Sequence, residues 1–214
     1  TFEFPHLMRL IAENQFDTIY HEHFSYLTLT SVNQIFAENG LVVFDVEELV
    51  THGGSLRVFA QRADSGQQPQ SSSLKEMLDR ERSIGMNTAA YYKGFQVRAE
   101  TVKNDLLKFL LNAKDQGETV AAYGAAAKGN TMLNFAGVRS DLVKFVVDRN
   151  PKKQGQFMPG SRIPIVDETH LKAAKPDYVI ILPWNLKNEI VSQLSYVKEF
   201  GARFVTAVPK LSQS

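Results

Sequence analysis

The second half of this sequence contains four strand-like runs that are apolar along nearly their whole length. The runs are TVAAY (119–123), VKFVVD (143–148), DYVIIL (177–182) and ARFVTAV (202–208), and helix-like segments lie between them. A strand covered on both faces is apolar throughout, whereas a strand with one face in water alternates apolar and polar residues. Buried strands separated by helices are typical of a parallel sheet with helices on both sides. We therefore predict an α/β fold in which residues 87–214 form a Rossmann-like parallel-sheet domain.

An apolar stripe before these strands predicts a long helix. Its members recur every three or four residues: Tyr92, Phe95, Ala99, Val102, Leu106, Phe109 and Ala113. This spacing places them on one face of an α-helix. We interpret the stripe as a face that packs on the core of its own domain. A coiled-coil seam, and hence a dimer, is the alternative, although the run covers barely three heptads.

Residues 1–62 have a different pattern and predict a separate unit. The opening FEFP is typical of the end of a strand. An apolar helical pattern follows, with Ser31 as its expected N-cap and a stop at Asn39-Gly40. Two strand-like runs, 41–49 and 55–62, flank the turn-forming THGG and predict a hairpin.

A polar stretch then predicts a boundary between the two units. Residues 63–73, ADSGQQPQSSS, offer no large apolar side chain to a core. We therefore interpret 63–86 as a linker followed by a short helix.

Composition excludes several classes of protein. Twenty-four basic residues against 23 acidic ones leave a formal charge of +1, too little for a field that recruits nucleic acid or an anionic membrane. The chain has no cysteine, which removes disulfides and thiolate zinc sites and fits a reducing compartment. No apolar run is long enough to cross a bilayer. These features predict a cytoplasmic protein.

The segment AAYGAAAKGNT follows a predicted strand and opens a predicted helix, the context in which small residues let backbone N–H groups approach a phosphate. Gly124 and Gly129 have the spacing of a P-loop, but residue 130 is asparagine rather than lysine, so nucleotide hydrolysis is not supported. The alternative is that these small residues only allow close packing. The candidate phosphate-binding residues of this turn are Gly124, Ala125, Ala126, Lys128, Gly129 and Asn130.

Polar residues also follow the next two strands. Asp148 and Asn150 follow the second strand, and Trp184 and Asn185 follow the third. In open α/β sheets, ligands bind at the carboxyl ends of the strands, and a carboxylate there often binds a ribose. Trp184 could stack on a base, although packing is the commoner role. We expect a nucleotide or a nucleotide sugar to bind at this edge of the sheet.

Four polar residues with acid/base chemistry stand together in the first unit: Tyr20, His21, Glu22 and His23. A metal site would need a third ligand, and no further histidine or carboxylate stands at a recognised spacing, so we predict none. A polar loop is the second alternative. The flanking residues favour a proton-transfer site instead, because they would partly desolvate the imidazoles: Phe16, Ile19, Phe24, Tyr26 and Leu27.

A series of longer motifs resembles one known family. FEFPHL, FDTIYHEHFSY, HGGSLRVF, YGAAAKGNT, VVDRNPKKQG, IPI and DYVIILPWN, in this order, resemble the S-adenosylmethionine-dependent sugar C-methyltransferases. These enzymes methylate carbon 3 of a dTDP-linked 4-keto-deoxysugar. The resemblance implies that residues 1–62 are the last elements of a class I methyltransferase domain and that 87–214 bind the nucleotide sugar. It also implies a fragment, since the zinc-binding region and the glycine-rich cofactor loop of the family have no counterpart here, and this chain alone would be inactive.

The resemblance also implies roles for the quartet. His23 would be the base that removes the proton from carbon 3, with Glu22 and Tyr20 orienting it or contacting the sugar. An extended strand would point Glu22 away from His23, and a turn at the quartet would resolve this conflict. His21 could exchange roles with His23, and His52, in the hairpin turn, is a weaker candidate. The competing hypothesis is a non-catalytic module that binds a nucleotide or nucleotide sugar.

Overall fold

The computed structural model describes residues 1–214, and its chain divides into two compact units. The first unit contains Thr1–Gln15 and Glu22–Gln96, and the second contains Phe16–His21 and Val97–Ser214. The short segment Phe16–His21 therefore belongs with the second half of the sequence. The division passes through the YHEH quartet, leaving its first two residues in the second unit.

The first unit is a three-stranded antiparallel sheet with helices. Its strands lie in the order β1-β3-β2, with bounds β1 Phe2–Pro5, β2 Leu41–Leu49 and β3 Ser55–Arg62. Its helices are α1 Leu7–Ala12, α2 Leu29–Glu38, α3 Ser72–Ser83 and α4 Ala89–Tyr92. The hairpin of β2 and β3 forms where the sequence predicts it. Pro5 is tolerated because β1 is an edge strand that pairs with β3 alone.

The N-cap of α2 is Thr28, so the prediction of Ser31 is wrong by one turn. The Thr28 hydroxyl accepts the Ser31 N–H at 2.9 Å, and the Ser31 hydroxyl accepts the Thr28 N–H at 3.1 Å. This reciprocal pair is a capping box, in which the residue three positions into the helix also has a polar side chain. Either residue could cap, and the helix begins at the earlier one.

The first unit continues well beyond Arg62, the predicted end. Ser71 caps α3 by accepting the Leu74 N–H, and α3 then buries Leu74 and Met77 in the core of the first unit. The polar stretch 63–73 thus connects two parts of one unit. Sequence composition identified the exposed loop but not the apolar face of the helix after it.

The second unit is a six-stranded sheet in the order β6-β5-β4-β7-β8-β9. Every neighbouring pair is parallel except β8 and β9. The strand bounds are β4 Val120–Tyr123, β5 Val146–Val147, β6 Ile165–Val166, β7 Tyr178–Ile181, β8 Arg203–Thr206 and β9 Ser212–Gln213. The predicted α/β fold with a Rossmann-like sheet is confirmed. The order reverses between β4 and β7, where such folds form their ligand crevice.

Helices pack on this sheet. Their bounds are α5 Phe95–Asp115, α6 Ala127–Phe135, α7 Glu168–Ala174 and α8 Lys187–Gln193, and a 3-10 segment Ser195–Phe200 follows α8. The stripe of α5 is buried from Ala99 to Ala113, and Phe109 meets Tyr178 of β7 edge to face at 4.9 Å between ring centres. The stripe is therefore a core-facing surface, as predicted. Tyr92 lies outside this helix, in α4. No helix is long and apolar enough to span a membrane.

Candidate functional site

The turn after β4 is shaped by two glycines that pack closely on neighbouring strands. Gly124 has a φ of +92°, and a Cβ there would lie 2.5 Å from Cδ of Pro183. A Cβ on Gly129 would lie 2.6 Å from Cβ of Leu182. Both positions exclude larger residues, so these two glycines bring α6 against the end of β7. Close packing, the alternative weighed from sequence, describes their contacts.

Asp148 joins this turn to the loop after β5. One carboxylate oxygen accepts the Ala125 N–H at 2.8 Å, and the other accepts the Asn150 N–H at 2.8 Å. Lys153 donates from Nζ to the Ala125 carbonyl at 2.7 Å and to Asp148 at 3.2 Å. The Asn150 side chain in turn accepts the Lys152 N–H at 3.0 Å. Both oxygens of Asp148, expected to face a ribose, accept hydrogen bonds within the protein.

A pocket of about 350 Å³ lies over this turn, within the second unit. The start of α6 forms one side, with Ala125, Ala126, Ala127, Asn130 and Thr131. The loop before β6 forms another, with Lys152, Lys153, Gln156, Phe157, Met158 and Pro159, together with Ile165 of β6 itself. Tyr20 and His21 complete it. Five of the residues chosen from sequence thus meet in one cavity, namely Tyr20, His21, Ala125, Ala126 and Asn130.

The pocket is electrostatically suited to an anion. Its lining contains Lys152 and Lys153 and no carboxylate, although Lys153 is already ion-paired with Asp148, outside the lining, at 3.2 Å. The N-cap of α6 is Ala126, whose side chain cannot accept a hydrogen bond from the first turn. The first N–H groups of a helix have no partner within the helix, and they carry the positive end of its dipole. Two lysines and an uncapped helix start therefore face the same cavity.

The YHEH quartet forms a turn rather than an extended strand. Tyr20 is half-buried and His21 exposed in the second unit, while Glu22 is exposed and His23 half-buried in the first. The flanking residues are unevenly buried: Phe24 is 94% exposed and Ile19 is 48% exposed, whereas Phe16 is buried and Tyr26 and Leu27 are half-buried. Tyr20 and His23 are therefore partly shielded from water, whereas His21 and Glu22 are exposed.

Two weaker expectations concern histidine. His52 lies exposed in the hairpin turn with a left-handed φ of 56°, the setting of an ordinary turn residue. No group of three or more His, Asp or Glu side chains is placed so that it could hold a metal ion.

Three other predicted residues form a separate cluster with a residue that sequence reasoning missed. Lys128 lies with Nζ 4.5 Å from the centre of the Trp184 ring and donates to the Asn185 side chain at 3.1 Å. The Trp184 indole N–H donates to Asp17 at 2.7 Å. Burial raises the pKa of Asp17 to about 6, although the Trp184 hydrogen bond and the Lys128 charge oppose the shift. Burial also lowers the pKa of Lys128, against the attraction of Asp17.

Comparison with known proteins now decides the family. A model of the C-methyltransferase C-terminal domain matches residues 50–209. The chain belongs to this family. C-methyltransferase NovU of Streptomyces niveus is 38% identical over 208 residues, which cover 97% of this chain and 49% of NovU. The C-methyltransferase domain therefore spans about half the length of that curated relative, and the resemblance seen in the sequence motifs is confirmed.

Sequence reasoning missed several pocket residues of this C-methyltransferase C-terminal domain. Lys152, Lys153 and Phe157 lie in the loop after β5. The motif DRNPKKQG held the signal, because two adjacent lysines directly follow a predicted ligand edge. Only Asp148 and Asn150 of that loop were chosen, and they bind the backbone instead of lining the cavity.

Proposed function

We propose that this chain is the nucleotide-sugar-binding part of an S-adenosylmethionine-dependent C-methyltransferase that acts on a nucleotide-linked keto-sugar. One observation carries the proposal: a single pocket combines Tyr20 and His21 with Lys152, Lys153 and the start of α6. Family membership supports methyl transfer to carbon. A cytoplasmic location stays a prediction from composition.

The anionic part of such a substrate is a diphosphate, and the pocket offers matching groups. Lysine ammonium groups and helix N–H groups make charge-assisted hydrogen bonds to phosphate oxygens. The volume of about 350 Å³ is at the small end of the range for ligand sites, so part of a nucleotide sugar would extend beyond it. We place the diphosphate between the two lysines and Ala127.

The sugar would then lie beside Tyr20 and His21. Carbon 3 adjoins the 4-keto group, so its proton is acidic enough for a neutral imidazole to remove. The C–H bond breaks, the proton moves to an imidazole nitrogen, and the electron pair forms an enolate whose charge rests on oxygen. The Tyr20 hydroxyl is a donor suited to that oxygen. His21 lines the pocket, which favours it as the base, whereas the assignment of His23 rests on the sequence motif and stays a prediction.

The residues of this pocket do not fit S-adenosylmethionine. The cofactor carries a cationic sulfonium, and the pocket presents two lysines and no carboxylate. We therefore place the cofactor outside this pocket and derive no step through it. The function of the pocket, as we propose it, is to bind, orient and deprotonate the sugar.

Calorimetry with thymidine diphosphate tests the binding site. The wild-type chain should bind it, and Lys152→Ala should weaken binding about tenfold, the effect of losing one charge-assisted hydrogen bond. Lys198→Ala is the matched control, because Lys198 is an exposed lysine of the same unit outside the pocket. If both variants lost affinity equally, the change in net charge of the protein would explain the effect, and Lys152 would have no specific role. If the wild-type chain did not bind thymidine diphosphate, the proposal would be refuted.

Turnover by a full-length C-methyltransferase that contains this domain tests the base. His21→Ala should lower kcat by about 10²- to 10⁴-fold, the usual contribution of a general base, with little change in affinity for the nucleotide sugar. His23→Ala is the comparison. If only His23→Ala abolishes turnover, the sequence-based assignment stands and the one favoured by the pocket fails.

A further inference from the structure

Asp17 is a buried carboxylate for which the proposed chemistry has no use. It is 1% exposed, and it lies in the 3-10 turn Phe16–Thr18, three residues before Tyr20. One of its oxygens accepts the Trp184 N–H at 2.7 Å, while the other is buried without a hydrogen-bond partner. A carboxylate buried in this way costs free energy that an apolar residue would not. Its presence therefore calls for a reason other than stability.

The contacts of Asp17 tie one short segment to the edge of the sheet. Trp184 directly follows the end of β7, and Phe16, the neighbour of Asp17, packs edge to face on Phe135 of α6 at 5.3 Å between ring centres. The segment Phe16–His21 is thus held at both β7 and α6. Tyr20 and His21, which end this segment, line the pocket.

We propose that the Asp17–Trp184 hydrogen bond is a latch that positions Tyr20 and His21 at the pocket. Asp17 is a positioning residue in this scheme, since it acts through the segment and not on the substrate. Its consequence for ligand binding rests on the proposed function. The latch itself concerns only the order of residues 16–21.

The surroundings of Asp17 make its ionisation measurable. Lys128 of α6 is the charged group that faces it, and the other facing groups are the Trp184 indole and apolar side chains: Leu106 of α5, Met132 of α6, Ile180, Ile181 and Leu182 at the end of β7, and Ala207 and Val208 after β8. His21 is exposed on the same segment. Trp184 is the only tryptophan in the chain, so its emission reports on Asp17 directly.

Hydrogen exchange on the full chain tests the latch. The Ile19 and Tyr20 amides donate to Phe16 and Thr18 carbonyls at 3.0 and 3.2 Å. Trp184→Phe keeps an aromatic ring but removes the indole N–H donor, and it should speed exchange of both amides by about tenfold. Asp17→Ala should do the same. Asp17→Asn keeps an acceptor and should leave their exchange within about twofold of the wild type.

Two further readouts separate a latch from a merely structural contact. The Trp184 emission of the wild type should titrate with a midpoint near pH 6, and the titration should disappear in Asp17→Asn but persist in His21→Ala. Binding of thymidine diphosphate should weaken several-fold in Trp184→Phe and Asp17→Ala. Lys152→Ala should weaken binding without altering exchange at Ile19 and Tyr20.

Unchanged exchange in Trp184→Phe would overturn the latch, and so would equal disturbance by Asp17→Asn and Asp17→Ala. A wild type that does not bind thymidine diphosphate would defeat the proposed function instead, and the exchange rates would still decide the latch.

Discussion

Each unit of this protein contains one carboxylate that is almost completely removed from solvent, and these two carboxylates have opposite chemistry. Glu81 in the first unit and Asp17 in the second are both 1% exposed. Glu81 accepts four hydrogen bonds, from His6 Nε2, the Leu29 and Thr30 N–H groups and the Thr30 hydroxyl. Asp17 accepts one side-chain hydrogen bond, from the Trp184 indole N–H, and its other carboxylate oxygen has no hydrogen-bond partner.

The direction of each pKa shift follows from the balance between burial, which raises the pKa, and hydrogen bonds to the anion, which lower it. Burial alone would raise the pKa of Glu81, but the hydrogen bonds from His6, Thr30 and Leu29 outweigh it and hold the pKa below its usual range. Burial of Asp17 is opposed by Trp184, Lys128 and a backbone hydrogen bond from Asp17 itself, but burial outweighs them and the pKa rises to about 6. A buried carboxylate whose oxygens all accept hydrogen bonds thus stabilises its unit as an anion. A buried carboxylate with too few hydrogen bonds lowers the stability of its unit when it is ionised.

The largest expected effect is at Glu81. Glu81→Ala strands the His6 imidazole and the first N–H groups of α2, and it should lower the free energy of unfolding by about 3–5 kcal/mol. Denaturation followed by circular dichroism measures this. Glu76→Ala, at an exposed position of the same helix, should change stability by less than about 0.5 kcal/mol. A loss below about 1 kcal/mol at Glu81 would contradict the description of a fully satisfied, stabilising anion.

A smaller effect, of opposite sign, is expected at Asp17. Its pKa in the folded state is raised above the unfolded value, so its favourable contribution is complete below about pH 4 and is lost as pH rises through about 6. Asparagine does not ionise, so Asp17→Asn removes this decrease in stability with rising pH. Relative to the wild type, it should gain about 2–3 kcal/mol between pH 4 and pH 7, since one pKa unit corresponds to about 1.4 kcal/mol.

Urea denaturation followed by Trp184 emission measures this change in the second unit. Asp115→Asn, at an exposed aspartate of α5, serves as the control and should show no such gain. A constant difference between Asp17→Asn and the wild type across this pH range would show that Asp17 does not titrate there.

The stability of the first unit at low pH provides the complementary test of Glu81. The pKa of Glu81 is lowered in the folded state, so its contribution is present above about pH 4.5 and is lost as pH falls through the lowered value. Glu81→Gln should therefore flatten the acid limb of the stability profile of the first unit. Exchange of the Leu29 and Thr30 amides between pH 3 and 6 follows this directly. If Glu81→Gln lost stability at low pH as the wild type does, the acid limb would have to come from other carboxylates.

The smallest expected effect is the loss of one of the four bonds at Glu81. Thr30→Val removes a hydroxyl that donates at 2.6 Å and should cost about 1 kcal/mol, because three donors remain. Thr30→Ser keeps the hydroxyl and should cost less than about 0.5 kcal/mol. Equal costs would attribute the effect to packing of the methyl group.

Local pattern predicted most of the second unit. The apolar strands and the stripe of α5 follow from short-range periodicity, and the hairpin of the first unit follows from its turn residues. The sequence did not reveal that α3 belongs to the first core, since a helix with one apolar face gives no sign of which core it joins.

The site was only partly predictable for a similar reason. Tyr20 and His21 carry obvious chemistry, but their placement, as we propose, depends on Asp17, whose partner lies 167 residues away along the chain. Neither a periodicity nor a motif spacing encodes a contact of that range. The turn residues after β4 were found because they follow a strand directly, and Lys152 and Lys153 were missed because a charged pair is ordinary on a surface loop.

The bond from Lys153 to Ala125 and Asp148 makes the two lysines of the pocket unequal. Lys153 already has its ammonium fixed at 2.7 Å from the Ala125 carbonyl, whereas the exposed Lys152 has no such restraint. Ordering a lysine side chain costs about 1–2 kcal/mol of rotamer entropy, and for Lys153 that ordering precedes any ligand. If the pocket binds a diphosphate as we propose, Lys153 would be a preorganised contact, whereas Lys152 would have to be ordered by the ligand.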